Sequence, residues 1–78
     1  MEIKAVEPIK PSLLKITFAE NDIRYFDVSP YWQSSFFNEL QDWDYFKLVT
    51  VSGRTVRWPH DQDFAPETLY LESRNRLP

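Results

Sequence analysis

Leu13-Leu14-Lys15-Ile16-Thr17-Phe18-Ala19-Glu20-Asn21-Asp22-Ile23-Arg24-Tyr25-Phe26-Asp27-Val28 is the stretch whose reading decides the fold. Leu13 to Phe18 alternates cleanly, so Leu14, Ile16 and Phe18 share one face of a strand. Ile23 to Val28 reads as the returning strand. The turn Ala19-Glu20-Asn21-Asp22 sets the register, because a one-residue slip exchanges the two faces. A two-residue loop at Asn21-Asp22 puts Ile16 opposite Asp27, with a carboxylate on the apolar face. A three-residue loop puts Ile16 opposite Phe26 and Leu14 opposite Val28. The second arrangement keeps one face apolar, so an odd loop with a bulge is expected.

Upstream, Glu2 to Val6 reads as a strand stopped by Pro8 and Pro11, which suits a sheet edge. Downstream, Ser29-Pro30 offers a hydroxyl cap followed by Pro at the first helical position. An amphipathic helix is expected over Pro30 to Leu40, with Trp32, Phe36 and Leu40 on one stripe and Phe37 widening it. Gln41 to Asp44 reads as a loop, and Tyr45 to Val51 as a strand. Ser52-Gly53, with the only Gly, reads as a two-residue hairpin loop. Arg54 to Trp58 returns, which pairs Val49 with Val56 and Val51 with Arg54, until Pro59 ends the strand. Ala65 to Ser73 is expected as a short final helix, with Pro66 in its first turn and Asp63 as its cap.

These elements give an α+β fold, a mostly antiparallel sheet of about five strands in the order β-β-β-α-β-β-α. One main helix packs on a face and a short C-terminal helix closes an end. Residues 1–73 form one small domain and residues 74–78 a polar, frayed tail. The expected core is Leu14, Ile16, Phe18, Phe26, Val28, Trp32, Phe36, Leu40, Phe46, Val49, Val56, Trp58 and Leu69.

At 78 residues, the sequence is too short for two domains. It has no Cys, which excludes disulfides and thiolate chemistry. No apolar run reaches the ~18 residues of a membrane span, and Met1-Glu2-Ile3-Lys4 has no signal-peptide character, so a cytoplasmic location is expected. The net charge of −3 disfavours a polyanionic partner. The charge is uneven: residues 28–46 carry three acids (Glu39, Asp42, Asp44) and no base. That block also holds seven of the 13 aromatics, so it is both the most aromatic and the most acidic part.

Chemistry-bearing clusters are few. His60-Asp61-Gln62-Asp63 has metal-ligand types, but all within four residues and with no second cluster to complete a coordination sphere. It reads as a solvated loop. His60, the only imidazole, lies next to Pro59 and Asp61 and reads as exposed rather than pocketed. No catalytic residue, cofactor, metal or small-molecule substrate is expected. Asp27 reads as a turn-capping carboxylate near Ser29-Pro30. Lys47, Arg54 and Arg57 beside Trp58 are the alternative, a weak basic patch for a nucleic-acid-binding accessory domain. The better candidate is the middle block. Tyr31 lies off the apolar stripe, and Trp43 lies between Asp42 and Asp44. With Trp58 and His60, these residues are the expected partner-binding set.

The order and spacing of three pieces resemble the prokaryotic domain-of-unknown-function family numbered 2442. They are the opening hairpin through Leu14-Lys15-Ile16-Thr17-Phe18 and Phe26-Asp27-Val28, then Phe36-Phe37-Asn38-Glu39-Leu40-Gln41-Asp42 leading into Phe46, then Val56-Arg57-Trp58-Pro59-His60-Asp61-Gln62-Asp63-Phe64-Ala65-Pro66-Glu67-Thr68-Leu69-Tyr70. The ending is the most specific part, and together they span residues 3 to 71. The sequence departs from the family's pattern in two turns. Asn21-Asp22 replaces an Asp-Gly or Asn-Gly, and His60-Asp61 replaces a frequent Asn-Gly. The family is similar to the N-terminal domain of some longer prokaryotic helix-turn-helix proteins, a segment not seen here. The resemblance implies a small cytosolic protein, often encoded beside another short protein in toxin–antitoxin-like arrangements. It implies no catalytic residues. The expected role is therefore a non-enzymatic protein-interaction or regulatory module, the partner-binding half of such a pair. Its partner is a basic protein or a second copy of itself as a homodimer.

Overall fold

The structure is a computed structural model that describes residues 2–78. Strands β1 (Ile3–Lys10), β2 (Leu13–Phe18) and β3 (Asp22–Asp27) form an antiparallel sheet in that order. The alternation of β2 holds: Leu14, Ile16 and Phe18 are buried, and Ile3 and Phe26 join them. The loop has three residues as expected, Ala19–Asn21, but it closes one residue early. Ile16 therefore pairs with Arg24, not Phe26, and Leu14 pairs with Phe26, not Val28. The early closure comes from Glu20 and Asn21, which take left-handed φ of 63° and 61° just after Ala19. The shift is two residues, so the faces are preserved and Phe26 and Val28 stay inside. Arg24 lands on the apolar face and escapes over its rim. Its guanidinium lies 4.0 Å from the Tyr70 ring centre and 3.2 Å from Asp22. β1 runs past Val6 to Lys10, with Pro8 tolerated on the edge and the register broken beside it.

The helix expected over Pro30 to Leu40 is absent. The chain instead makes successive three-residue turns. The amide of Trp32 donates to Ser29, Ser34 to Tyr31, Phe37 to Ser34 and Leu40 to Phe37, each over 3.0–3.1 Å. A period of three brings Tyr31, Phe37 and Leu40 inward, in place of the stripe Trp32, Phe36, Leu40. Phe36 is exposed and Trp32 only half-buried, so neither belongs to the core interior expected of them. The composition explains this. Aromatics, Ser and Asn are mediocre helix formers. Ser34 Oγ also accepts the Phe36 amide at 3.2 Å, which diverts the backbone locally. The tighter winding lets Phe64 stack on Phe37 (ring centres 4.7 Å apart) and meet Tyr31 edge-on (5.0 Å).

Gln41–Asp44 is not wholly a loop, because Asp42 accepts the Asp44 amide at 3.0 Å and starts a single helical turn, α1 (Trp43–Phe46). That turn consumes Tyr45 and Phe46, so β4 is only Thr50–Ser52, far shorter than the expected Tyr45–Val51. It pairs with β5 (Thr55–Arg57) as a separate two-stranded sheet, with Val51 opposite Val56 and Gly53-Arg54 as the loop rather than Ser52-Gly53. Val49, Val56 and Trp58 are buried as expected. Phe64, Ile3 and Leu13 are core residues that the sequence reading omits. The last helix, α2 (Pro66–Glu72), has Pro66 in its first turn and buries Leu69. Ala65, not Asp63, is its N-cap; Asp63 instead bridges Arg57 of β5. Beyond α2, Arg74 exchanges two backbone hydrogen bonds with Tyr25 of β3 (2.7 and 2.8 Å), so the expected fraying does not begin at Arg74. The result is an α+β fold with sheets of three and two strands and several short helical turns.

Two turns carry opposite predictions. Gly53 sits at φ 61° with open space around it, so Gly53→Ala should lose stability through backbone strain alone, ~1 kcal/mol. Asp61 sits at φ 71°, where the resembling family often has Gly, so Asp61→Gly should gain ~0.5 kcal/mol. Urea midpoints at constant slope check both signs.

Candidate functional site

Gln62 is 3% exposed, a buried amide in a loop that its sequence context marks as solvated. It needs partners there, and it has them. Its Oε1 accepts from the Tyr45 hydroxyl at 2.6 Å, and its Nε2 donates to Glu39 Oε1 at 2.8 Å and to the Phe36 carbonyl at 3.3 Å. One side chain thus ties together α1, the Asn38–Gln41 turn and the Phe36 region. The turn Trp58–Asp61 presents Gln62. It is closed by Asp61 N–H to the Trp58 carbonyl (2.9 Å) and by Trp58 N–H to the Gln62 carbonyl (3.0 Å).

His60 sits on top of this hub. Its amide donates to the Tyr45 hydroxyl at 2.8 Å, and its ring stacks on the Tyr45 ring with centres 5.1 Å apart. Nδ1 lies 2.9 Å from both Glu39 carboxylate oxygens. A carboxylate only accepts, so Nδ1 carries a hydrogen. Nε2 has no hydrogen-bond partner among the described residues. The expected partner set is thereby divided. His60 and Trp43 are exposed, and Asp42 and Asp44 flank Trp43 as its cap and its neighbour. Tyr31 is half-buried against Phe64, and its hydroxyl donates to Glu72 at 2.5 Å. Trp58 is 1% exposed and leaves the set altogether: a side chain closed off from solvent makes no partner contact and stacks on no base. Two of the three basic-patch residues are partly neutralised, Lys47 by Asp44 at 3.4 Å and Arg57 by Asp63 at 3.7 Å, while Arg54 has no carboxylate of the described residues within 4.0 Å.

Nothing local in the sequence joins Glu39 to His60 or Gln62. The loop 58–62 and the turn 38–41 meet only in the fold. Asp61 and Asp63 do not join His60. Among the described residues no group of three His, Cys, Asp or Glu side chains converges on a metal-sized site. Among them, too, no helix is long and apolar enough to cross a membrane.

Two carboxylates are shifted. Hydrogen bonds from His60 and then Gln62 hold Glu39 below its ordinary value, against a small opposing effect of burial. For Asp27 burial pushes upward, but the Ser29 amide (2.9 Å) and the Ser29 and Ser12 side chains outweigh it, and the net shift is downward. Asp27 is therefore an ionised turn cap, as expected. Because the folded value of Glu39 is lowered, its contribution is present above the ordinary carboxylate range and is lost as pH falls through the lowered value. Glu39→Gln should accordingly melt below the wild type at neutral pH and converge with it in acid. Thermal melts across pH 3–7, roughly the carboxylate titration range, check this.

A family model described as "Protein of unknown function (DUF2442)" matches residues 3–75, nearly the whole chain. Neither the curated proteins nor the solved structures yield a match.

Proposed function

The chain belongs to the DUF2442 family, and from that premise we propose that it works by binding a protein partner rather than by catalysis, through the segment Phe36–Leu48. One observation carries this reading. Within that segment Phe36 (50%), Trp43 (38%) and Leu48 (50%) stay exposed, interleaved with Glu39, Asp42 and Asp44. Single exposed apolar residues are ordinary, but several on one short, acid-rimmed segment suit a docking surface. The buried Gln62 amide and the Asp42 cap hold the segment in shape, so little ordering is left to binding. Lys47, within the segment, offsets Asp44 at 3.4 Å, and the acidic excess left by Glu39 and Asp42 suits a basic protein surface. The family resemblance supports a cytoplasmic toxin–antitoxin-like pair, with the product of the neighbouring gene as the partner.

Co-expression of that product with this chain tests the reading. The two should co-purify, and the double variant Trp43→Lys/Leu48→Lys should weaken the complex by at least ~tenfold while leaving the far-UV spectrum intact. A chain that stays monomeric and ignores the neighbouring product would sink it.

A further inference from the structure

We propose that the groove between β3 and the segment following α2 binds a small organic anion bearing phosphate or carboxylate groups. The groove is open to solvent, has a volume of about 450 Å³ and is lined by Arg24, Ser73, Arg74, Asn75, Arg76, Leu77 and Pro78. Three guanidiniums and two neutral polar side chains share this wall, and no carboxylate side chain does.

Two of the arginines are anchored. Arg24 is held by Asp22 at 3.2 Å and by the Tyr70 hydroxyl at 2.8 Å. Arg74 is fixed by its main chain, through the paired hydrogen bonds to Tyr25. Ser73, just before it, is buried and donates to the Tyr70 carbonyl at 3.0 Å. Asp22 offsets the charge of Arg24, but no carboxylate of the described residues lies within 4.0 Å of Arg74 or Arg76. On its other side Arg74 borders a smaller groove of about 210 Å³ that contains Asp27 and Glu72. Asp27 caps Ser29 and also faces the charge of Arg74 at longer range, which helps to lower its pKa, and Glu72 accepts from Tyr31.

Unpaired guanidiniums are planar forks that grip phosphate and carboxylate two oxygens at a time. The volume fits a small molecule rather than a bare ion. A long polyanion is a poor occupant, because it would run from the groove onto a surface whose overall charge is −3. A small one feels only the local field, since screening cuts interactions beyond ~10 Å at 0.1 M salt.

Calorimetry with pyrophosphate, citrate and inorganic phosphate, each matched to sodium chloride at equal ionic strength, tests the site. Saturable binding of pyrophosphate or citrate is expected, and whichever is tighter separates a phosphate from a carboxylate ligand. Arg74→Ala and Arg76→Ala should each weaken it by at least ~tenfold, and Arg54→Ala, which does not line the groove, should not. Heats equal to those of sodium chloride, or wild-type binding by both groove variants, would overturn the proposal.

Discussion

Trp58→Ala is expected to remove most of the domain's stability and leave it only marginally folded at room temperature. Trp58 is 1% exposed, stacks on Phe46 with ring centres 5.9 Å apart, and meets Phe64 edge-on. Its indole Nε1 donates to the Phe46 carbonyl at 2.8 Å, at the C-terminal end of α1, where the same carbonyl also accepts the Val49 amide at 3.3 Å. Truncating a buried Trp costs ~3–5 kcal/mol. Stability of ~0.05–0.15 kcal/mol per residue gives a chain this short only a few more than that. Trp58→Phe keeps most of the ring and loses the hydrogen bond, so it should cost ~1–2 kcal/mol and stay folded. Trp43→Ala, on the exposed turn, should cost less than ~1 kcal/mol. Far-UV circular dichroism and urea titration rank the three. A Trp58→Ala chain that melts like the wild type would falsify the placement of this ring at the centre of the core.

Gln62→Glu should be nearly as damaging at neutral pH and much milder in acid. The substitution places a second carboxylate 2.8 Å from that of Glu39 and removes the donor to the Phe36 carbonyl. Burial and the like charge both raise the folded pKa of the new group. A raised folded value means that the penalty is absent below the unfolded pKa of ~4.3 and grows as pH rises above it. A loss of ~3 kcal/mol at pH 7, shrinking by more than half near pH 4, is the expected pattern. Gln62→Leu removes the amide without adding charge and should lose less, with no such recovery in acid. Equal losses for Gln62→Glu at both pH values would mean that Gln62 is not seated against Glu39.

The sheet and the last helix were legible because their signals are local and repeat. The alternation from Leu13 to Phe18 has a single good solution, and Pro66 marks the start of α2. Even the displaced register kept its faces, because a shift by two residues leaves a period of two unchanged. The segment from Pro30 to Leu40 misled for the converse reason. Trp32, Phe36 and Leu40 fit a period near 3.6, while Tyr31, Phe37 and Leu40 fit a period of three, and only the packing of Phe64 chooses between them. The Asp42 cap was legible in principle, as an Asp two residues ahead of the amide it accepts. The Gln62 hub was not. Its partners lie 17 to 26 residues away, and a Gln between two acids in a short loop carries no sign of burial.

The backbone bridge from Arg74 to Tyr25 bears on how this protein stays apart from its own copies. β3 is an outer strand, and an outer strand offers unpaired amides and carbonyls as a template for another chain. Arg74 occupies part of that ladder from within the molecule and sets a guanidinium beside it. Pairing within the molecule leaves that part of the edge closed to another chain, beside a small groove that Leu13 and Arg74 both line. Loss of the bridge would thus appear first as a fall in solubility, ahead of any loss of the core.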